Sequence, residues 1–423
     1  MRLPPLPGSQ FLSNLAALYG IQLATLFLPL LSLPYLTRVL QPAAWGQLGA
    51  ITSLSFVLLL LVEYGFQLSA TRDVARHRDE PRRLARIVAG VQGAKAILLL
   101  LMLGAALIVY ALIPVVRETP AVYWCGVAFA AAQGFSPFWY FQGVERVQRA
   151  AALDMAARGL AVAGVFVFVH GPQDAYRVLA LQAVCSLLAV AWNTGRMYRE
   201  VPLRLPRWPE ALGALRAGWT LFVFRGGVAL YTSANAFVLR LFLPAASVAN
   251  FVNAERLANA GKSLLQPVSQ LLFPRVTHLI QSDRPRARHL TARSLMLMTA
   301  VGCLGAGLAF MLAPLIVPVV FGPGYERSVN ALRILSLSIP FVAVSNVLGL
   351  QWMLPLGLDR VFNGIIISAG VLNIALAVLL VRAFGLTGMS GAVVVSEGFA
   401  AVAMLLYLAR AGLLPLSRTG RFG

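Results

Sequence analysis

RIVAGVQGAKAILLLLMLGAALIVYALI, residues 86–113, decides the architecture. The run exceeds the ~20 apolar residues that a helix needs to cross a ~30 Å hydrocarbon core. Lipid offers the backbone no hydrogen-bond partners, so such a run must be a helix. One residue interrupts it, Lys95, about ten residues inside the stretch. An ammonium at that depth costs about 2.5–3.5 kcal/mol or more, so it faces a protein interior or a wet cavity.

The rest of the chain follows this pattern. It is 59% hydrophobic and 12% charged, against about 25% charge in a soluble domain. It is therefore an integral membrane protein. Hydropathy places twelve spans near 11–37, 45–69, 86–113, 121–143, 150–170, 174–195, 214–241, 246–274, 291–320, 328–355, 360–382 and 386–410. The expected fold is all-α. No cleavable signal pattern is expected, because the first apolar run is too long and leads straight into further spans.

The net charge of +20 is explained by its distribution. Of the 35 Lys and Arg, 23 fall in connections on one side of the membrane, six on the other and six inside spans. The positive-inside rule then makes both termini cytoplasmic. These loops suit topology and contact with anionic membrane lipids, not nucleic acid. Cys125, Cys185 and Cys303 lie apart in apolar segments and read as packing residues. The four histidines lack metal-ligand spacing, so no metal and no cofactor is expected. Loops of about twenty residues or fewer leave no room for a catalytic domain, and there is no phosphate-binding loop. The chain is not expected to be an enzyme.

An internal repeat divides the chain. Arg38-x-x-x-Pro42-Ala43-Ala44 recurs as Arg240-x-x-x-Pro244-Ala245-Ala246, and Gly143-Val-Glu-Arg-Val147 recurs as Gly357-Leu-Asp-Arg-Val361. With six spans before and six after, this predicts two six-helix lobes, 1–198 and 217–423, as parallel repeats. A cytoplasmic linker, 199–216, would join them. Proteins built this way bind substrate between the halves and alternate access by rocking them. The repeat also predicts equivalent outer positions for Arg38 and Arg240, as mouth charges.

Charges inside the spans supply candidate site residues. Glu255, Asn259, Lys262, Gln266 and Ser269 follow helical spacing and predict one polar stripe, flanked by Arg256. The stripe reads as a cavity wall, with interhelical adhesion as the alternative. Arg225, Thr232 and Asn235 share one side of the next helix upstream, and Arg225 either faces the cavity or snorkels. Asp154 and Arg158 are spaced for an ion pair on one helix face. Glu63, Glu255 and Glu397 are candidates for ion coupling or for pairing with a cation, and Gln67 shares a face with Glu63. Pro137 and Pro267 are among the mid-span prolines that bend helices and free carbonyls.

Four stretches carry a family resemblance: Glu63-Tyr-Gly-Phe-Gln-Leu-Ser-Ala-Thr-Arg72-Asp-Val-Ala75, Phe138-Trp-Tyr-Phe-Gln-Gly-Val-Glu145, Phe321-Gly-Pro-Gly-Tyr325 and Leu332-Arg-Ile-Leu335. The chain resembles the Wzx-type O-antigen and exopolysaccharide repeat-unit flippases of the multidrug/oligosaccharidyl-lipid/polysaccharide exporter superfamily. The resemblance covers essentially the whole chain. It implies a twelve-helix, two-lobe fold like that of the multidrug exporters. The implied cargo is a polyprenyl-pyrophosphate-linked oligosaccharide, moved across the bacterial inner membrane through a cationic central cavity. No family motif fixes a site residue; by depth in the spans and helical face the cavity candidates are Lys95, Arg225, Asn235, Arg256, Asn259, Lys262 and Gln266, with Arg38, Arg72 and Arg240 at the mouths. A polysaccharide polymerase and a chain-length regulator are the implied protein partners. A multidrug antiporter and a peptidoglycan lipid-precursor flippase stand as alternatives.

Overall fold

A computed structural model describes residues 8–415. The described residues form helices and their connections, with no strand. Among the described residues, seven segments are long and apolar enough to cross a membrane, from Leu31–Arg76 to Asp359–Arg410. Their outward faces are apolar: Leu100, Leu112, Leu188 and Met311 are each more than 60% exposed. That surface is stable only against lipid tails.

The longest helical stretches do not run straight. Asp359–Arg410 has 52 residues, which at ~1.5 Å per residue would span more than twice a ~30 Å hydrocarbon core. It bends sharply at Gly385 (φ 58°, ψ −128°), which brings Gly388 against the Leu380 carbonyl. Gly8–Glu63 is interrupted at Gln41, whose φ of 59° is outside the helical region. Pro42 follows, and the residue before a proline is sterically excluded from the α conformation. The second repeat motif behaves similarly: the helix Asn235–Arg240 ends and a new one starts at Ala245, just past Pro244.

The chain divides into two compact units. One is Tyr35–Ala249. Its core gathers Phe66, Leu84, Val88, Val91, Trp139, Tyr140 and Phe141, all buried. The helix Trp208–Ser233 packs in this unit, on the helix Pro81–Leu112. Residues 201–207, within the expected linker, lie close on that same helix, where a Cβ on Gly93 would meet Pro206 at 2.6 Å. The compact units thus differ from the sequence halves: the seventh expected span sits with residues of the first half. Among the described residues, the other unit takes in those from Asn250 onward and those up to Pro34. Its core holds an eight-residue π-helical stretch, Asn346–Met353, a rare geometry that proteins keep mainly at special sites.

The expected eighth span is not one continuous helix. Ala245–Ser263 ends, Leu264 and Leu265 turn, and Gln266–Ser282 begins. Pro267 explains the break, since it has no N–H to give to the preceding turn and its ring crowds that turn's carbonyl.

The chain just past the first copy of the repeat motif approaches the second copy closely. A Cβ on Gly46 would lie 1.7 Å from the Ala245 carbonyl oxygen, so only glycine admits this approach. Gly104, in contrast, has open space around its Cβ position. Gly46→Ala is expected to destabilise the protein by about 1–3 kcal/mol through overpacking, while Gly104→Ala is neutral or stabilising by about 0.5–1 kcal/mol. Thermal unfolding of the two purified variants checks this, and equal melting temperatures would refute it.

Candidate functional site

The site in Tyr35–Ala249 begins with two interruptions written into the sequence. The first follows Glu63, where Tyr64 (φ 51°) and Gly65 (φ 92°) adopt left-handed backbone before a new helix starts at Phe66. The Tyr64 ring stacks on Phe222 with centroids 4.5 Å apart and fixes the turn against the helix Trp208–Ser233. The second is Ser136-Pro137, between helices Pro120–Gly134 and Phe138–Gly143. In an unbroken helix the Ser136 carbonyl would accept from the Tyr140 N–H. Here Tyr140 donates to the Pro137 carbonyl instead, 3.0 Å away, and the Ser136 carbonyl is left to another donor.

Lys95 is that donor. Its Nζ gives a hydrogen bond to the Ser136 oxygen at 3.0 Å, and the side chain is 2% exposed. Beside it lies a cavity of about 190 Å³ lined by Glu63, Gln67, Lys95, Gln133, Ser136, Asp154 and Arg158, with Phe66, Phe138 and Trp139 as its aromatic wall. The polar lining carries two acids and two bases. Arg158 Nε donates to Asp154 Oδ2 at 2.9 Å, as the spacing along one helix predicts. Arg225 reaches in from its own helix and donates to Glu63 Oε2 at 3.0 Å and to Gln67 Oε1 at 3.2 Å. Glu63, Lys95 and Arg225, candidates from three different spans, therefore converge. Glu63 is a partner of Arg225 here, so one predicted coupling acid is the counter-charge of one predicted cavity cation.

A separate network holds Arg240. Its Nε donates to Gln47 Oε1 at 2.8 Å, Nη1 donates to the Leu243 carbonyl at 3.3 Å and Nη2 binds Glu118. Gln47 passes the chain on by donating to the Val115 carbonyl and the Thr119 hydroxyl. Arg240 is 9% exposed, whereas its repeat equivalent Arg38 is exposed. The two motif arginines therefore differ in environment. Asn235, at the start of the same short helix, is buried, and Arg72 is exposed beside Asp73.

In the unit from Asn250 onward, Lys262 Nζ lies 3.7 Å from Glu397 Oε1, and both side chains are about 85% buried. Glu255 and Arg256 are half-buried neighbours, while Asn259 and Gln266 are exposed. The break at Leu264–Leu265 divides the expected stripe. Ser269 is buried, and its hydroxyl accepts from Gln351 Nε2 at 3.1 Å. Gln351 Oε1 in turn accepts from Ser294 at 2.8 Å. Sequence reading missed this knot and the cavity residue Gln133. The one signal for Gln133 was a lone amide in an apolar run, three residues before Ser136-Pro137.

These features define a multi-pass helical membrane protein with charged groups held inside the bundle. The chain belongs to the family described as "Polysaccharide biosynthesis protein", whose model matches residues 11–280. It is 27% identical over 402 residues to a protein of Escherichia coli (strain K12) named "Putative O-antigen transporter", covering 93% of this chain and 96% of that one. A protein of the same name from Shigella dysenteriae is 26% identical over 405 residues, covering 94% and 99%. Among solved structures, the lipid II flippase MurJ in an inward closed conformation superposes with a TM-score of 0.73 at 10% identity, covering 93% of this chain and 87% of MurJ. An inward-facing MATE-family multidrug transporter gives 0.65 at 16% identity, covering 94% and 100%. At these identities the two structures establish a shared fold, the MATE-like helical fold expected from the sequence.

The Glu63–Arg225 contact predicts a measurable coupling. A double-mutant cycle with Glu63→Gln and Arg225→Gln is expected to give an interaction energy of about 0.5–3 kcal/mol in unfolding experiments. The exposed pair Arg83–Glu80 should give about 0.5 kcal/mol or less. Coupling at Glu63–Arg225 no larger than at the exposed pair would contradict the geometry.

Proposed function

We propose that this chain is a flippase that carries polyprenyl-pyrophosphate-linked oligosaccharide units from the inner to the outer leaflet of the bacterial inner membrane, for O-antigen, exopolysaccharide or capsule assembly. The observation that carries the reading is the polar cavity at Lys95, a space of about 190 Å³ lined by charged and amide side chains beside a buried ammonium. Similarity along nearly the full length to relatives named for O-antigen transport supports it.

The physics of the cargo fits. A pyrophosphate and a glycan are both too hydrophilic to cross hydrocarbon unaided. Ammonium and guanidinium groups inside the bundle replace the water that the head group gives up. In this reading Lys95, Arg225, Arg256 and Lys262, with Asn235, Asn259 and Gln266, meet the head group, while the polyprenyl tail stays in lipid. Glu63, Glu255 and Glu397 balance these cations and take up a coupling ion when the pairs exchange partners. Arg38, Arg72 and Arg240 flank the two ends of the path. The transport unit has twelve spans in two six-helix lobes, 1–198 and 217–423, linked by 199–216, with both termini cytoplasmic. It performs transport and no catalysis. A polysaccharide polymerase and a chain-length regulator would receive its product.

Proteoliposomes test the proposal. The membrane carries a lipid pyrophosphate oligosaccharide that is fluorescent on its sugar, and an external quencher reports head-group side. Protein-dependent quenching beyond the accessible leaflet's share, without exchange of a cationic dye, is the expected result. Joint neutralisation of Lys95, Arg225 and Lys262 should lower that rate at least about tenfold, a loss of roughly 1.4 kcal/mol of transition-state stabilisation. Dye exchange without lipid movement would replace the reading with drug antiport. An unchanged rate in the triple variant would remove these cations from the path.

A further inference from the structure

The cavity beside Lys95 is an unusual place to hold a phosphate. Its lining balances two acids against two bases, and Arg225, which does not line it, spends its guanidinium on Glu63 and Gln67. A pocket with balanced charge gains little from an anionic guest over a neutral one. What distinguishes it is unspent hydrogen-bonding capacity of both kinds. Lys95 uses one of its three N–H bonds, on Ser136. Gln67 gives its oxygen to Arg225 and keeps its NH₂ group. The Gln133 amide, half-buried on the cavity wall, forms no side-chain hydrogen bond among the described residues. The indole Nε1 of Trp139, itself 2% exposed, is buried without a partner among the described residues. Phe138 and Trp139 complete the wall with apolar ring surface.

Donors and acceptors of both charged and neutral kinds, with aromatic faces, around one small space match a polyhydroxylated ring. Such a ring offers hydroxyl groups that both donate and accept, and C–H faces that pack on aromatics. The volume of about 190 Å³ suits one sugar ring and not a chain of them. We infer that this cavity is a monosaccharide subsite, which reads one sugar of the cargo by hydrogen bonds from Lys95, Gln67 and Gln133 and by contact with Phe138. The inference rests on the flippase reading for its biological context. It separates two roles within the head group: sugar selection at this cavity, and phosphate neutralisation by cations that do not line it, Arg225, Arg256 and Lys262.

The test uses the full-length chain in lipid nanodiscs. The probes are methyl glycosides of glucose, galactose and N-acetylglucosamine, read by saturation-transfer NMR, beside binding of polyprenyl pyrophosphate that lacks a sugar. At least one glycoside is expected to bind, and Gln133→Leu to weaken it roughly tenfold, the scale of one lost buried amide contact. Phe138→Leu keeps apolar volume and should weaken the same glycoside while leaving polyprenyl pyrophosphate binding unchanged. Equal weakening of polyprenyl pyrophosphate would overturn the inference and make the cavity a phosphate site. No glycoside signal, or a signal indifferent to both variants, would also overturn it. Cavity-dependent glycoside binding in a protein that moves no lipid-linked oligosaccharide would keep the subsite and sink the transport reading.

Discussion

Charge inside an apolar bundle must find a partner or water, and this constraint organises the structure. Removing one member of a buried pair typically costs about 3–5 kcal/mol, because the other charge is stranded. The protein meets the constraint by cross-linking distant spans. Glu63, Gln67 and Arg225 join the end of one helix to the middle of another. Gln47, Glu118 and Arg240 join three segments of the same unit. Lys262 and Glu397 do the same in the other unit. Asp154 and Arg158 form the local version, one turn apart on a single helix.

Backbone irregularity supplies what side chains alone do not. Lys95 is tolerated because Pro137 withdraws the Ser136 carbonyl from helical bonding and leaves it for an ammonium. Tyr64-Gly65 turns the chain so that Glu63 and Gln67, on either side of the break, reach the same cavity. Both sites pair a local break in helical geometry with a polar group that an unbroken span would have had to leave in lipid. The same economy appears at Gln351, where the π-helical stretch presents an amide to Ser269 and Ser294.

The sequence made the apolar runs, the depth of Lys95 and the Asp154–Arg158 pair readable, since each depends on composition or on spacing within one helix. The repeat motif at Arg38 and Arg240 was readable as a pattern, and both copies mark helix interruptions next to a proline. The different burial of the two arginines was not readable, because the Arg240 partners lie 122 and 193 residues away. The polar stripe from Glu255 to Ser269 failed as one face because periodicity assumes a continuous helix, and Pro267 breaks it. The close approach at Gly46 was invisible for a similar reason: a glycine in an apolar run carries no sign of which backbone it will meet. Family resemblance supplied the MATE-like fold, but the identities of the charges paired between helices came only from three dimensions.

The proposed transport depends above all on a water-accessible cavity within the Tyr35–Ala249 unit, apart from the lipid-facing surface. Cysteine accessibility tests it most directly. In a background with Cys125, Cys185 and Cys303 replaced, a single cysteine is placed at Gln133 on the cavity wall or at Leu100, 70% exposed on the apolar face of the Lys95 helix. A small, charged, water-soluble thiosulfonate is expected to modify Gln133→Cys and to leave Leu100→Cys to a lipid-soluble maleimide alone. Inertness of Gln133→Cys to the water-soluble reagent, or faster reaction at Leu100→Cys, would contradict it.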